Sequence, residues 1–365
     1  MNIIFCSSLL VSFLANIVWT HTIRTMEDES DPYNWLFYTF ECPQECVCPP
    51  NFPNALYCDS KAIKEIPAIP PGIWYLYLQN NLIETITEKS FANATQLKWI
   101  NLNNNKITTN GIEKGAFNNL KSLLYLYLED NYLEEVPDPL PRSLEQLRLA
   151  RNKIGIIPQG VFNNLENLTM LDLHQNKLLD NTLSNNTFQG LSSLMQLNVA
   201  QNSLTKMPPI LPANVNQLFL DSNSIETIPD NYFDAMLRLV SLRLNHNKLT
   251  DGGIPSKVFN ISSLLDLQLS YNELTIIPDI SIHLEHLHLD NNRINSAEKM
   301  PHSHMRVFEQ LHLVSAFPRS EVPVVGHSSP SHLTFGLQQY ALCGATLEEY
   351  LEATAGSQCS GIGGS

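Results

Sequence analysis

Four cysteines, Cys42, Cys46, Cys48 and Cys58, carry the most reactive chemistry in the first part of the chain, spaced C-x3-C-x-C-x9-C. Thiols this close can hold a metal or pair as disulfides. A tetrahedral zinc site is disfavoured, because no histidine lies near and a single residue separates Cys46 from Cys48. The oxidised alternative needs a secretory route. Residues 3–19 are mostly apolar and end near Thr20 and His21, a run short for a membrane span. We read residues 1–20 as a cleaved signal, which removes Cys6 from the count and makes the four cysteines two disulfides.

Other residues point to modification rather than catalysis. Residues 21–41 form an acidic segment with Tyr33 and Tyr38, both candidates for sulfation, Tyr33 having the closer acidic neighbours. Asn-x-Ser/Thr sequons place N-linked glycans at Asn93, Asn167, Asn185 and Asn260. Of His283, His286 and His288, the last two share the inner face, but no third close ligand is set by the pattern, so they read as solvated side chains. The sequence contains no G-x-S-x-G, no H-E-x-x-H and no phosphate loop, so the reading is a non-enzyme without a cofactor or metal. A net charge of −14 argues against nucleic acid and favours basic partners. No apolar run of 18 or more residues follows the repeats, which disfavours a membrane anchor.

What must position these residues is a repeat. The spacing LxxLxLxxNxL, as in Leu123, Leu126, Leu128, Asn131 and Leu133, recurs ten times. Its asparagines are Asn81, Asn105, Asn131, Asn152, Asn176, Asn202, Asn223, Asn247, Asn272 and Asn292. Their intervals, 24, 26, 21, 24, 26, 21, 24, 25 and 20, give two long repeats for each short one. In LxL both leucines share one face of a strand, and the asparagine bonds backbone where the chain leaves it, in a ladder with the next asparagine. One repeat buries too little to fold alone, so the repeats must stack. The expected fold is an α/β leucine-rich-repeat solenoid: a curved parallel sheet on the concave side, extended or short helical segments on the convex side, and a disulfide cap at the N-terminal end. Long repeats carry Phe91, Phe117, Phe162, Phe188, Phe233 and Phe259 as a stacked spine, while proline-rich returns such as Pro137, Pro139 and Pro141 shorten the others. The domain reading is a cap over residues 42–66, about ten repeats over residues 67–294, and a tail over residues 295–365.

Strand alternation then predicts which residues face the concavity. The first three repeats present Tyr75, Tyr77, Trp99, Tyr125 and Tyr127, good contact anchors. Carboxylates follow, with Glu129, Asp172 and Asp221 expected to meet Lys or Arg of a partner. All four sequons fall off this face, leaving it free of glycan.

Together the cysteine spacing, the long-long-short rhythm and the runs FECPQECVCPPNFPNALYC, EIPAIPPGIWYLYLQNNLIETI, PLPRSLEQLRLARNKI and LRLNHNKL resemble the small leucine-rich proteoglycans, in the class that includes lumican and fibromodulin. The resemblance implies a secreted keratan sulfate proteoglycan of extracellular matrix, as in corneal stroma. It would bind fibrillar collagen and other matrix proteins and regulate fibril diameter and spacing. It implies the pairings Cys42–Cys48 and Cys46–Cys58, and glycan chains on Asn93, Asn167 and Asn260, with Asn185 the fourth sequon. It ends at Ile294: the family continues with further repeats and a disulfide-closed cap, whereas residues 295–365 are expected to be a disordered tail with an accidental LxL in FEQLHLVSAF. The Cys343 and Cys359 surroundings do not match that cap. The alternative is a secreted leucine-rich-repeat glycoprotein acting as a soluble ligand-binding or receptor-like module.

Overall fold

A computed structural model describes residues 41–294 and one further strand, His312–Val314. Tyr33 and Tyr38, the signal segment, Cys343 and Cys359, and all of the tail but that strand lie outside the described residues.

Twelve three-residue strands form one parallel sheet in strict chain order. They are β1 (Ala55–Tyr57), β2 (Tyr75–Tyr77), β3 (Trp99–Asn101), β4 (Tyr125–Tyr127), β5 (Gln146–Arg148) and β6 (Met170–Asp172), then β7 (Gln196–Asn198), β8 (Gln217–Phe219), β9 (Ser241–Arg243), β10 (Asp266–Gln268), β11 (His286–His288) and β12 (His312–Val314). Each strand of the repeats has a central aliphatic residue. Leu76, Ile100, Leu126, Leu147 and Leu171 are all fully buried, while the residues on either side point to the open, concave face. The described helices are single 3-10 turns such as Glu88–Phe91, so the convex side is more extended than helical.

The asparagines hold consecutive turns together by bonding backbone. Asn131 accepts the Ile107 N–H at 3.0 Å on Oδ1, and its Nδ2 donates to the carbonyls of Leu102, Leu128 and Glu129. Asn105 does the same one repeat earlier, through Ile83 and Leu78. The ladder therefore runs from each side chain to the main chain of the preceding turn, and the ladder asparagines are not paired with one another. The residue just before each of them has a positive φ: Asn80, Asn104, Asp130, Arg151, Gln175, Gln201, Ser222, His246, Tyr271 and Asn291 lie between 52° and 59°. Left-handed backbone costs a non-glycine residue about 1–2 kcal/mol. The four hydrogen bonds of the following asparagine offset that cost.

The phenylalanines are buried, yet their spine is broken into pairs. Phe91 stacks on Phe117 at 6.1 Å, Phe162 on Phe188 at 6.4 Å, and Phe233 lies 6.4 Å from Phe259. Each pair belongs to two adjacent long repeats, and the proline-rich short repeat interrupts the series. A second device follows the same three-repeat period. The 3-10 turns Thr109–Gly111, Asp180–Thr182 and Asp251–Gly253 recur at equivalent places. At the head of each, Thr109, Asp180 or Asp251 accepts backbone N–H groups from the next repeat.

At the N-terminal end, Val47 and Tyr57 exchange backbone hydrogen bonds in an antiparallel bridge, and β1 then pairs in parallel with β2. Disulfides Cys42–Cys48 and Cys46–Cys58 tie this cap down. At the other end the sheet runs one strand past Ile294. β12 pairs with β11, Leu313 opposite Leu287, so the LxL of FEQLHLVSAF extends the ladder although no asparagine follows it. Backbone pairing needs an extended segment at the right distance, and the asparagine is a separate requirement.

Candidate binding face

The aromatic side chains form a continuous row across the first strands. Tyr57 stacks on Tyr77 at 4.3 Å with planes 11° apart, and Tyr77 meets the Trp99 indole edge-on at 4.4 Å. Trp99 meets Tyr127 at 5.8 Å, and Arg148 lies over the Tyr127 ring at 4.6 Å. Tyr75, 41% exposed, flanks Trp99 at 6.4 Å. Strand register explains the course of the row. Tyr57, Tyr77, Tyr127 and Arg148 occupy the third position of their strands, where β3 has Asn101. Asn101 folds back to accept the Asn103 N–H, and the indole of Trp99 fills the gap from the first position.

Burial, then the neighbouring Tyr57, raises the Tyr77 pKa far above the ordinary tyrosine value. Burial and the Glu145 carboxylate, which accepts the Tyr125 O–H at 3.1 Å, raise that of Tyr125. Tyr127 donates to Gln146 Oε1 at 3.1 Å.

The carboxylates anticipated from sequence lie beside this face and already have partners within the chain. Glu129, 9% exposed, accepts from Asn103 Nδ2 and Arg151 Nη2, both at 3.1 Å. Arg151 also grips Asp130 with Nε and Nη2 and reaches His174 Nε2 at 3.2 Å, and His174 Nδ1 meets Asp172 at 2.9 Å. Asp221, 7% exposed, lies apart, 2.8 Å from Arg243 Nε, and accepts the Asn245 N–H. Burial raises its pKa above the aspartate norm, against the lowering by Arg243 and Asn245. Around it lies an open groove of about 600 Å³ lined by His174, Phe219, Arg243, Tyr271 and His288. Tyr271 stacks on His246 at 4.0 Å, and His288 comes within 4.0 Å of Asp266.

The structure thus brings Tyr75, Tyr77, Trp99, Tyr125 and Tyr127 into one surface, links Glu129 to Asp172 through Arg151 and His174, and leaves Asp221 in a separate groove. Tyr57 and Arg148 join the aromatic surface without having been singled out. The signal for Tyr57 was present, since Ala55–Leu56–Tyr57 has the alternation of Tyr75–Leu76–Tyr77 inside the cysteine cluster. The four sequon asparagines, Asn93, Asn167, Asn185 and Asn260, are exposed and lie outside the strands.

A disulfide-capped parallel solenoid with an open aromatic and polar face, and with no catalytic constellation among the described residues, is a leucine-rich-repeat scaffold of the structural and binding kind. The family model described as leucine rich repeat matches residues 71–133 and 142–209. The chain is 70% identical over 291 residues to keratocan of Gallus gallus, covering 80% of this chain and 82% of that protein. Against keratocan of Homo sapiens identity is 63%, with 80% and 83% covered. Prolargin of Mus musculus is 53% identical over 266 residues, with 72% and 70% covered. Among solved structures, a chain of the octameric complex of Latrophilin 3, Unc5D and FLRT2 superposes with a TM-score of 0.56 at 25% identity, covering 74% of this chain and 92% of that one. The chain belongs to the keratocan family of small leucine-rich proteoglycans, proteins of the extracellular matrix. Among the described residues, no helix is long and apolar enough to cross a membrane.

Proposed function

We propose that this protein is a secreted keratan sulfate proteoglycan whose open face binds fibrillar collagen, limiting fibril diameter and setting fibril spacing as in corneal stroma. The observation that carries the reading is the continuous row of solvent-facing rings from Tyr57 to Tyr127, a preformed contact surface on an otherwise polar sheet. Membership of a matrix proteoglycan family and the placement of the four exposed sequons off the strands support it further. Glycan on Asn93, Asn167, Asn260 and Asn185 would form a hydrated spacer between fibrils and leave the face clear. Sulfated Tyr33 and Tyr38 would add a second contact for basic matrix proteins.

Two measurements test the reading. Keratanase digestion of the secreted protein should remove a large mass on a gel, and no shift would leave a plain glycoprotein. Cosedimentation with collagen fibrils should retain the wild type and release Trp99→Ala. Equal retention of both would remove the aromatic row from the mechanism.

A further inference from the structure

Arg148 is set apart from the other arginines of the open face. Arg151 and Arg243 are paired with carboxylates. Arg243 likewise lies over a ring, Phe219, but Arg148 alone of the three makes no ion pair with any described residue; its Nε is buried without a hydrogen-bond partner and its guanidinium carbon sits over the Tyr127 ring, 4.6 Å from the centroid. A guanidinium held this way is fixed by its ring while its edge N–H groups stay available, the geometry that grips a carboxylate in bidentate fashion. In a chain of net charge −14, a cation without an ion pair on a face whose carboxylates are already partnered marks a place for an incoming anion.

The row leading up to it sets what must carry that anion. Neighbouring strands are about 4.8 Å apart, and three residues of a polyproline II chain span about 9.3 Å. Two strands therefore match one triplet of such a chain, and the five strands from Tyr57 to Arg148 span about two triplets. Aromatic grooves accept proline rings because the polyproline chain is already extended and loses little entropy on docking. We propose that the Tyr57–Tyr77–Trp99–Tyr127 row with Arg148 is a directional subsite for an imino-acid-rich collagen triplet followed by an acidic side chain. The rings pack the prolines and Arg148 takes the carboxylate, which sets the register of the partner. This rests on the collagen reading above and specifies which collagen sequences are chosen.

The test uses the full secreted protein and immobilised triple-helical peptides of Gly-Pro-Pro repeats, identical except for one guest position holding Glu, Gln or Lys. Intact collagen fibrils are the parallel probe. The expected result is about tenfold tighter binding of the Glu peptide than of the Gln peptide, the Lys peptide weakest. Arg148→Gln should erase the Glu preference and Arg148→Lys should keep part of it, both with an unchanged melting curve. The proposal is overturned if wild type binds fibrils but ranks the three peptides equally, or if Arg148→Gln keeps the ranking; in either case the collagen reading survives. It is also overturned if Arg148→Gln loses binding only to a sulfated oligosaccharide. Failure of wild type to bind either fibrils or any peptide would remove the collagen reading itself.

Discussion

The two halves of the open face are built on the same strands and solve opposite problems. From β1 to β5 the face carries a row of rings, Trp99 standing in from the first position where β3 has Asn101, and the row ends in one cation without an ion pair among the described residues. From β6 to β11 the face is mostly amides, carboxylates, histidines and Arg243, with Met170 and with Phe219 lying under Arg243, and its polar groups are bonded largely to one another. Asp172 has His174, Asp221 has Arg243, and Ser241 donates to Asp266 at 2.9 Å. A surface that satisfies itself has little to gain from a partner. Rings and an unpaired guanidinium gain apolar burial and a charge-assisted bond at once. Binding is therefore expected to concentrate at the capped end, with the opposite half holding the solenoid in register.

The largest effect should come from the asparagine ladder. Asn131→Ala leaves the Ile107 N–H and up to three carbonyls without their partner in a site 4% exposed, and should cost about 3–5 kcal/mol. Asn176, half-buried beyond the row, should cost less on the same change, as guanidinium melts of the two variants will read. Next, removing the Cys46–Cys58 bridge with paired serines should cost about 2–4 kcal/mol. Because Tyr57 adjoins Cys58, this variant should also lose collagen affinity while hydrogen exchange around β9 and β10 is unchanged. An equal loss of protection at both ends would show the halves to be one cooperative unit.

Third, Trp99→Ala should weaken collagen binding by about 30-fold, the scale of an interface hot spot of about 2 kcal/mol. The Asp172→Asn, Asp221→Asn double variant should move it by less than about threefold, because both carboxylates are already paired. Comparable losses in low-salt binding assays would put the polar half back into the interface. The smallest effect is on pH dependence, and two aspartates should differ in sign. Asp221 has a raised folded pKa, so the stability it contributes is present below the ordinary aspartate range and is lost as pH rises through its raised value. Burial also opposes the charge on Asp180, but the hydrogen bonds from Thr205 and Lys206 outweigh it and lower its pKa. Its contribution is present above the ordinary range and is lost as pH falls through the depressed value. Relative to wild type, Asp221→Asn should gain stability with rising pH and Asp180→Asn should lose it, as matched melts from pH 3 to 7 will show.

Much of the architecture was legible because a period-two strand inside a repeat of 20 to 26 residues leaves a signature that composition cannot mimic. Leu126 and Leu128 announce their burial by spacing, and Tyr125 and Tyr127 announce the opposite face by falling between and beside them. The cap strand was harder to read. Leu56 carries no LxxLxLxxN around it, and its role depends on pairing with β2, a contact 20 residues away. The positive φ before each asparagine left no trace either, since residues as different as Arg151, Ser222 and Tyr271 occupy that place.

From sequence alone came the repeating core, the position of every ladder asparagine and the face to which the aromatic residues belong, because these follow from local periodicity. Tertiary structure decided which charges on that face are satisfied. Glu129, Asp172 and Asp221 look equally free in the sequence, as do Arg148, Arg151 and Arg243. Asp172 finds His174 within its own repeat, but for Glu129, Asp221 and the arginines, finding a partner depends on where the neighbouring repeat places its side chains across the strand gap. That distance is set by stacking, and only stacking left Arg148 on Tyr127 without a carboxylate among the described residues.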